Sequence, residues 1–361
     1  MTQHDLTPNN ADKRQQSDAI LQQFRGAQVS QLHQAPVPRQ LHHYTSRDGF
    51  TGILSSKSLW ASDARYLNDF SELSYAIALI DEVVAEITAA VKDEPLRSAL
   101  PKAVAQRFAY GPRPFVACFC EDGDLLSQWR GYVPGESGFS LGLDLSLSTI
   151  GARAGAYLRK VVYDEAVQRE AVTEAVTAWL QTARSLLESD SGLTPKDLFP
   201  YPAIRALQEV LIEHYLCFKH PTFSEEREWR LIKLANLQEE VRNTRLRDAR
   251  ERYEELIATA QEHARAVGLE MPEVGRPWPE VNAERVKINF RPSRLGFVPY
   301  VTLPLEAAAG VFAGRLPLLQ VTQGPTENSS LALEALEMYL ESNGYGFPHT
   351  DIRASGIPLR R

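Results

Sequence analysis

The pattern of apolar and polar positions changes abruptly near residue 40. Before it the chain is polar and rich in glutamine. One short helix is predicted over 17–24 and a stop at Pro36 and Pro38, so residues 1–39 read as an N-terminal appendage outside the core. From Leu41 a strand is predicted over 41–45. Ser46 then caps a helix whose apolar stripe is Phe50, Ile53 and Leu54. A short extended piece follows at 59–61. The spacing of Leu73, Ala76, Ile77, Ile80, Val83, Val84 and Ile87 then predicts a long amphipathic helix. Strands are expected over 115–120, 138–144 and 159–164, with an aromatic and basic segment at 126–132 between the first two. Residues 165–219 read as mainly helical. A strand follows around Trp229, and a charged, alanine-bearing stretch at 238–266 reads as one long inserted helix. Strand texture returns at 285–290, 297–303 and 319–321, then a helix is predicted at 331–340 and a last strand within 350–358.

Short strands interrupted by helices, without regular βαβ alternation and without an internal repeat, predict an α+β fold. The expected core is a mixed, largely antiparallel sheet forming one domain over 40–361, with helical insertions near 165–219 and 238–266. Composition narrows the class. Of 361 residues 43% are hydrophobic and 24% charged, the profile of a globular chain rather than a disordered one. A net charge of -7 argues against a general nucleic-acid coat. No apolar run approaches a membrane span, and the first residues lack the basic start and apolar stretch of a secretion signal. Three cysteines without a CxxC pair provide neither a disulfide framework nor a zinc knuckle, so a reducing cytoplasm is expected.

Several chemistries lack their motifs. The chain has no GxxxxGK[ST] loop, no GxGxxG after a strand and no GxSxG element. His214 and His220 are spaced too far apart to share one helical face, and the adjacent His42 and His43 point to opposite sides of a strand, so no metal site is expected. What stands out is the alternation Glu226, Glu228, Arg230. On one strand these three share a face, placing two like charges beside each other with a guanidinium next to them. An edge strand with a solvated face explains this blandly. Alternatively, a carboxylate pair beside an arginine suits the stabilisation of a sugar cation and the binding of its phosphates.

Four segments in order carry a family resemblance. They are Leu41-His-His-Tyr-Thr-Ser46 with its helix and Trp60, the run Tyr66 to Asp69, Cys118-Phe-Cys-Glu121 with Gln128-Trp-Arg-Gly-Tyr132 and Gly138, and Phe223 with Glu226-x-Glu228-Trp-Arg230; Gly324-Pro325 and Ser355-Gly-Ile-Pro358 follow. This order resembles domain-of-unknown-function family 2971 over roughly residues 40–361, and that family is similar to the ADP-ribosyltransferase-like fold. The resemblance implies NAD as substrate, no metal, a small-molecule nucleotide partner with a protein or nucleic-acid acceptor, and a role as bacterial toxin or anti-phage effector. It implies Glu228 as the catalytic carboxylate, Glu226 as the residue that orients the acceptor, and His43 as a catalytic and ribose-holding group. His43, Tyr44, Trp129, Arg130, Tyr132 and Arg230 are then the NAD-binding set, and His43, Glu226 and Glu228 are expected to converge on one cleft. RNA 2′-phosphotransfer on the same scaffold and a non-catalytic nucleotide sensor are the alternatives.

Overall fold

The structure is a computed structural model that describes residues 19–24, 26–27, 35–66, 70–105, 113–133, 138–148, 155–188, 194–195, 203–235, 287–293 and 296–358, with scattered residues between 252 and 262. The chain clusters into two compact units, one of residues 1–234 with 289–361 and one of residues 235–288. In the second unit the described residues between Arg252 and Glu262 are helical; the rest of the predicted 238–266 helix lies outside the described residues.

The first unit is built on an α+β plan with a mixed, mostly antiparallel sheet. Its strands are β1 (Leu41–Ser46), β2 (Ser58–Asp63), β3 (Arg113–Cys120), β4 (Gly138–Leu143), β5 (Tyr157–Lys160), β6 (Glu228–Ala235), β7 (Ile288–Ser293), β8 (Gly296–Pro304), β9 (Leu318–Gln323) and β10 (Asp351–Ala354). The order across the sheet is β10-β9-β4-β1-β3-β2-β8-β7, with β6 pairing β3 and β5 off this path. β1 runs antiparallel to β4 from Leu41 opposite Leu143 to Ser46 opposite Gly138, and meets β3 where His42 faces Cys120. β9 runs antiparallel to β4, whereas β10 lies parallel to β9. The last strand, drawn from the far end of the sequence, therefore sits three places from the first, with β9 and β4 between them.

Helix α1 (Arg47–Ser56) begins where the Ser46 hydroxyl accepts the Gly49 amide at 3.2 Å, satisfying one of the unpaired donors of a helix start. Its predicted stripe of Phe50, Ile53 and Leu54 is buried, and Phe50 stacks on Phe139 of β4 at 4.2 Å. Helices α2 (Phe70–Ala90), α3 (Glu94–Ala105), α5 (Glu165–Glu188) and α6 (Ala203–Cys217) pack together into a separate helical core. Ile80, Val83, Trp179, Leu207 and Leu211 lie at its centre, each burial contributing about 1.5–3 kcal/mol. Leu21 and Phe24 are buried in the same cluster. The short helix read as part of an appendage thus adds its apolar face to the core. Helix α7 (Ser329–Ser342) follows β9. The 126–132 segment, read only as an aromatic and basic connection, is a helix, α4 (Leu126–Tyr132). Among the described residues no helix is long and apolar enough to cross a membrane.

Candidate functional site

The strand predicted through Glu226, Glu228 and Arg230 begins two residues later than its alternation suggests. Pro221–Glu226 is a 3₁₀ turn, started by Pro221 in its first turn and capped by His220, whose ring nitrogen accepts the Thr222 amide at 3.3 Å. Arg227 follows with φ 42° and ψ 51°, a left-handed conformation that costs a side-chain-bearing residue about 1–2 kcal/mol. β6 starts only at Glu228. Glu226 therefore does not share a strand face with Glu228 and Arg230. The turn nonetheless keeps the two carboxylates together, because Lys219 reaches both, with Nζ at 2.7 Å from Glu226 Oε2 and 3.0 Å from Glu228 Oε2.

Glu228 is enclosed. Arg230 donates to it twice, Nε to Oε1 at 2.7 Å and Nη2 to Oε2 at 3.0 Å, and the Cys118 thiol also hydrogen-bonds the carboxylate. Lys219, Glu228 and Arg230 are each under 5% exposed. Burial alone raises the pKa of this carboxyl, but the charges of Arg230 and Lys219 and the hydrogen bonds outweigh it and bring it down to about 2. Arg230 is held in turn by the Leu216 carbonyl at 2.8 Å, and the Tyr163 hydroxyl accepts the Glu228 amide at 2.9 Å. Lys219, nine residues before Glu228 in the chain, is the member of this cluster that the sequence reading missed.

The other predicted residues separate into buried supports and exposed groups. The half-buried His43 donates from Nδ1 to the Cys118 carbonyl at 2.9 Å, and burial lowers its pKa. His43 and Glu228 thus both meet Cys118, one at its main chain and one at its thiol. Tyr44 and Trp129 are buried edge to face at 4.7 Å. The Tyr44 hydroxyl donates to the Asp122 carbonyl and accepts the Leu125 amide, both at 2.8 Å, while Trp129 Nε1 donates to Asp124 at 2.8 Å. These two aromatic side chains fix the 121–125 turn rather than offering a stacking surface. Arg130 and Tyr132 are exposed on α4.

What the turn is fixed against is a polar cavity of about 340 Å³ at the end of β3. Its walls are His42 from β1, Glu121, Asp122, Gly123 and Asp124 from the turn, Arg227, Gln320 from β9 and Arg353 from β10. The strained Arg227 is thus a wall residue, and its guanidinium pairs with Asp122 at 3.2 Å. Gly123 is required by close approach: a Cβ there would lie 2.4 Å from His42 Nδ1. Burial, aided by the Arg353 charge and opposed by Asp122, lowers the His42 pKa to about 4, so the ring is neutral at pH 7. The Gln40 amide nitrogen bridges His42 Nε2 at 3.2 Å and Gln320 Oε1 at 3.0 Å. Because an amide nitrogen only donates, His42 Nε2 accepts and Nδ1 carries the proton. Gln320 Oε1 also accepts a hydrogen bond from Arg353. The cavity is therefore lined by His42, the neighbour of the predicted His43, and by a turn and a C-terminal arginine that no local motif marked as functional.

Helix α4 from Gln128 onward, Lys219, Arg227 and Glu228 to Arg230 all fall within one stretch of recognisable sequence. Residues 128–231 match the model of the family described as Protein of unknown function (DUF2971). The DUF2971 match thus holds the charge cluster and Arg227, while His42, the 121–124 turn, Gln320 and Arg353 lie outside it. No curated protein and no solved structure matches the chain.

Proposed function

We propose that the cavity binds the phosphoribosyl part of a nucleotide such as NAD, and that the chain is an NAD-using ADP-ribosyltransferase or NAD-cleaving enzyme. The observation that carries this reading is the pairing of opposite charges around one cavity. The guanidiniums of Arg227 and Arg353 and the carboxylates of Glu121, Asp122 and Asp124 line it together, with the neutral imidazole of His42 on β1 among them. Guanidinium forks suit phosphate oxygens, and carboxylates suit ribose hydroxyls and a cation developing on the sugar. At 340 Å³ the space lies near the lower end of the range for small-molecule pockets. The left-handed Arg227 adds support, since such strain concentrates where a side chain is aimed at a task. The ADP-ribosyltransferase-like type of the sheet, the acceptor and an effector role as toxin or anti-phage protein rest on the family resemblance.

Binding without turnover is the second reading, and the complete pairing of Glu228 favours it. Calorimetry with NAD and an assay for nicotinamide release test both on the same samples. NAD binding is expected to weaken about tenfold or more in Arg353→Ala and in Arg227→Gln, the loss of one charge-assisted hydrogen bond. Binding with no nicotinamide release selects the second reading. No NAD binding by the unaltered chain refutes both.

A further inference from the structure

We infer that Glu121, rather than Glu228, is the carboxylate that acts on the sugar in this cavity, with Trp229 and Lys160 as the residues that position it. The inference rests on the proposed function and identifies the group that performs its central step. Glu228 contributes no surface to the cavity, and both its oxygens are occupied by Arg230 and Lys219. Glu121 does line the cavity, and only one of its oxygens is occupied. Oε1 accepts Trp229 Nε1 at 2.9 Å and Lys160 Nζ at 3.0 Å, and among the described residues Oε2 takes no hydrogen bond. The carboxylate is thus anchored at one atom and presents the other.

The anchoring is a product of the fold. β5 and β6 pair so that Lys160 stands opposite Trp229, and the Lys160 ammonium lies 5.6 Å from the centre of the indole. The two donors form a platform on one face of that strand pair. Glu121 is the first residue after β3, which itself pairs with β6, so its side chain meets the platform at the mouth of the cavity. Burial by itself disfavours the charged form of Glu121, but the bonds from Trp229 and Lys160 and the charges of Lys160 and Arg227 reverse this and keep it ionised. Other charged groups facing the cavity are Asp122 and Asp124 on the same turn and Arg353 on β10. The buried Glu228 cluster then has a different task. It ties the start of β6 to the end of α6, through Lys219 and through Arg230 on the Leu216 carbonyl.

In the reaction the bond between the nicotinamide nitrogen and ribose C1′ breaks, and its electron pair stays with the nitrogen, cancelling the positive charge on the ring. The ribosyl cation left behind is stabilised by the free oxygen of Glu121. A water or acceptor oxygen then bonds to C1′ and releases its proton to solvent.

The test uses the full chain and NAD, comparing the unaltered protein with Glu121→Gln, Glu121→Asp, Trp229→Phe and Glu228→Gln. Nicotinamide release is read as kcat and KM, NAD affinity by calorimetry, and the folded fraction by circular dichroism. Glu121→Gln keeps an amide oxygen for Trp229 and Lys160, so it should fold and bind NAD within about threefold while kcat falls on the order of 100-fold or more. Glu121→Asp keeps the charge but draws it back by one methylene, and should retain more activity than the glutamine variant. Trp229→Phe should lower kcat more than it raises KM, the signature of a misplaced carboxylate. Glu228→Gln should lose stability yet keep its activity per folded molecule. Cleavage by Glu121→Gln within tenfold of the unaltered protein overturns the assignment alone, as does a Glu228→Gln protein that is folded and inactive. An unaltered chain that releases no nicotinamide overturns the proposed function, and this assignment with it.

Discussion

Replacing Glu228 by glutamine removes one negative charge from a buried site that holds two cations, Lys219 and Arg230. The shape of the side chain is almost unchanged, so the effect carries no loss of packing. A carboxyl whose pKa falls from 4.5 to about 2 on folding contributes on the order of 3 kcal/mol at neutral pH. The amide adds a second penalty. One of the two oxygens becomes an NH₂ group, and each oxygen now accepts from a cation, so a donor is turned toward Arg230 or Lys219 whichever way the amide lies. Breaking a buried pair from one side costs about 3–5 kcal/mol in general, and the two routes agree. Urea denaturation at pH 7 should show a lower midpoint for the variant with an unchanged slope. The pH dependence is the more searching measurement. Because folding depresses this pKa, the stabilisation is fully present above about 4.5 and is lost as pH falls toward about 2. The gap between the two proteins should therefore be widest near neutrality and narrow steadily below pH 5. A gap under about 0.5 kcal/mol at pH 7, or one that stays constant between pH 7 and pH 3, would refute the ionic arrangement.

Two further changes examine how the cavity is built. Tyr44→Phe removes a hydroxyl that both donates to Asp122 and accepts from Leu125, leaving two main-chain groups of the turn without it. A loss of about 1–3 kcal/mol is expected by denaturation, with weakened NAD binding. Gly123→Ala places a methyl group 2.4 Å from a His42 ring that is itself buried, so the ring or the turn must move. The variant should remain folded by circular dichroism while NAD binding measured by calorimetry falls at least tenfold; unchanged affinity would show that His42 and the turn do not shape the bound state.

The elements that periodicity could reveal were legible in the sequence, and the reason is local. The stripe of Phe50, Ile53 and Leu54 behind a Ser46 cap specifies a helix whatever it packs on. Helix α4 escaped because seven residues do not complete enough turns to show a period. The Glu226–Glu228 spacing misled for the opposite reason. Two residues fit a strand, yet His220-Pro221 just upstream carries the start signal of a helical turn, and that local signal overrides the parity of the charges. The site itself was less visible. Alternation places His42 and His43 on opposite faces of β1, but only the pairing of β1 between β3 and β4 decides which of them meets the cavity. Glu121-Asp-Gly-Asp124 reads as a turn from its residue types, and a turn signal says nothing about what the turn faces. Lys219 and Arg353 belong to the site through tertiary contact alone, the first through a turn that folds back on it and the second through a strand contributed from the end of the chain. Motif reading was drawn to Glu228 because charge on a strand is conspicuous in a sequence. In the fold that same charge is neutralised where it stands, and among the described residues the cavity carboxylate with an oxygen that takes no hydrogen bond follows a plain apolar strand.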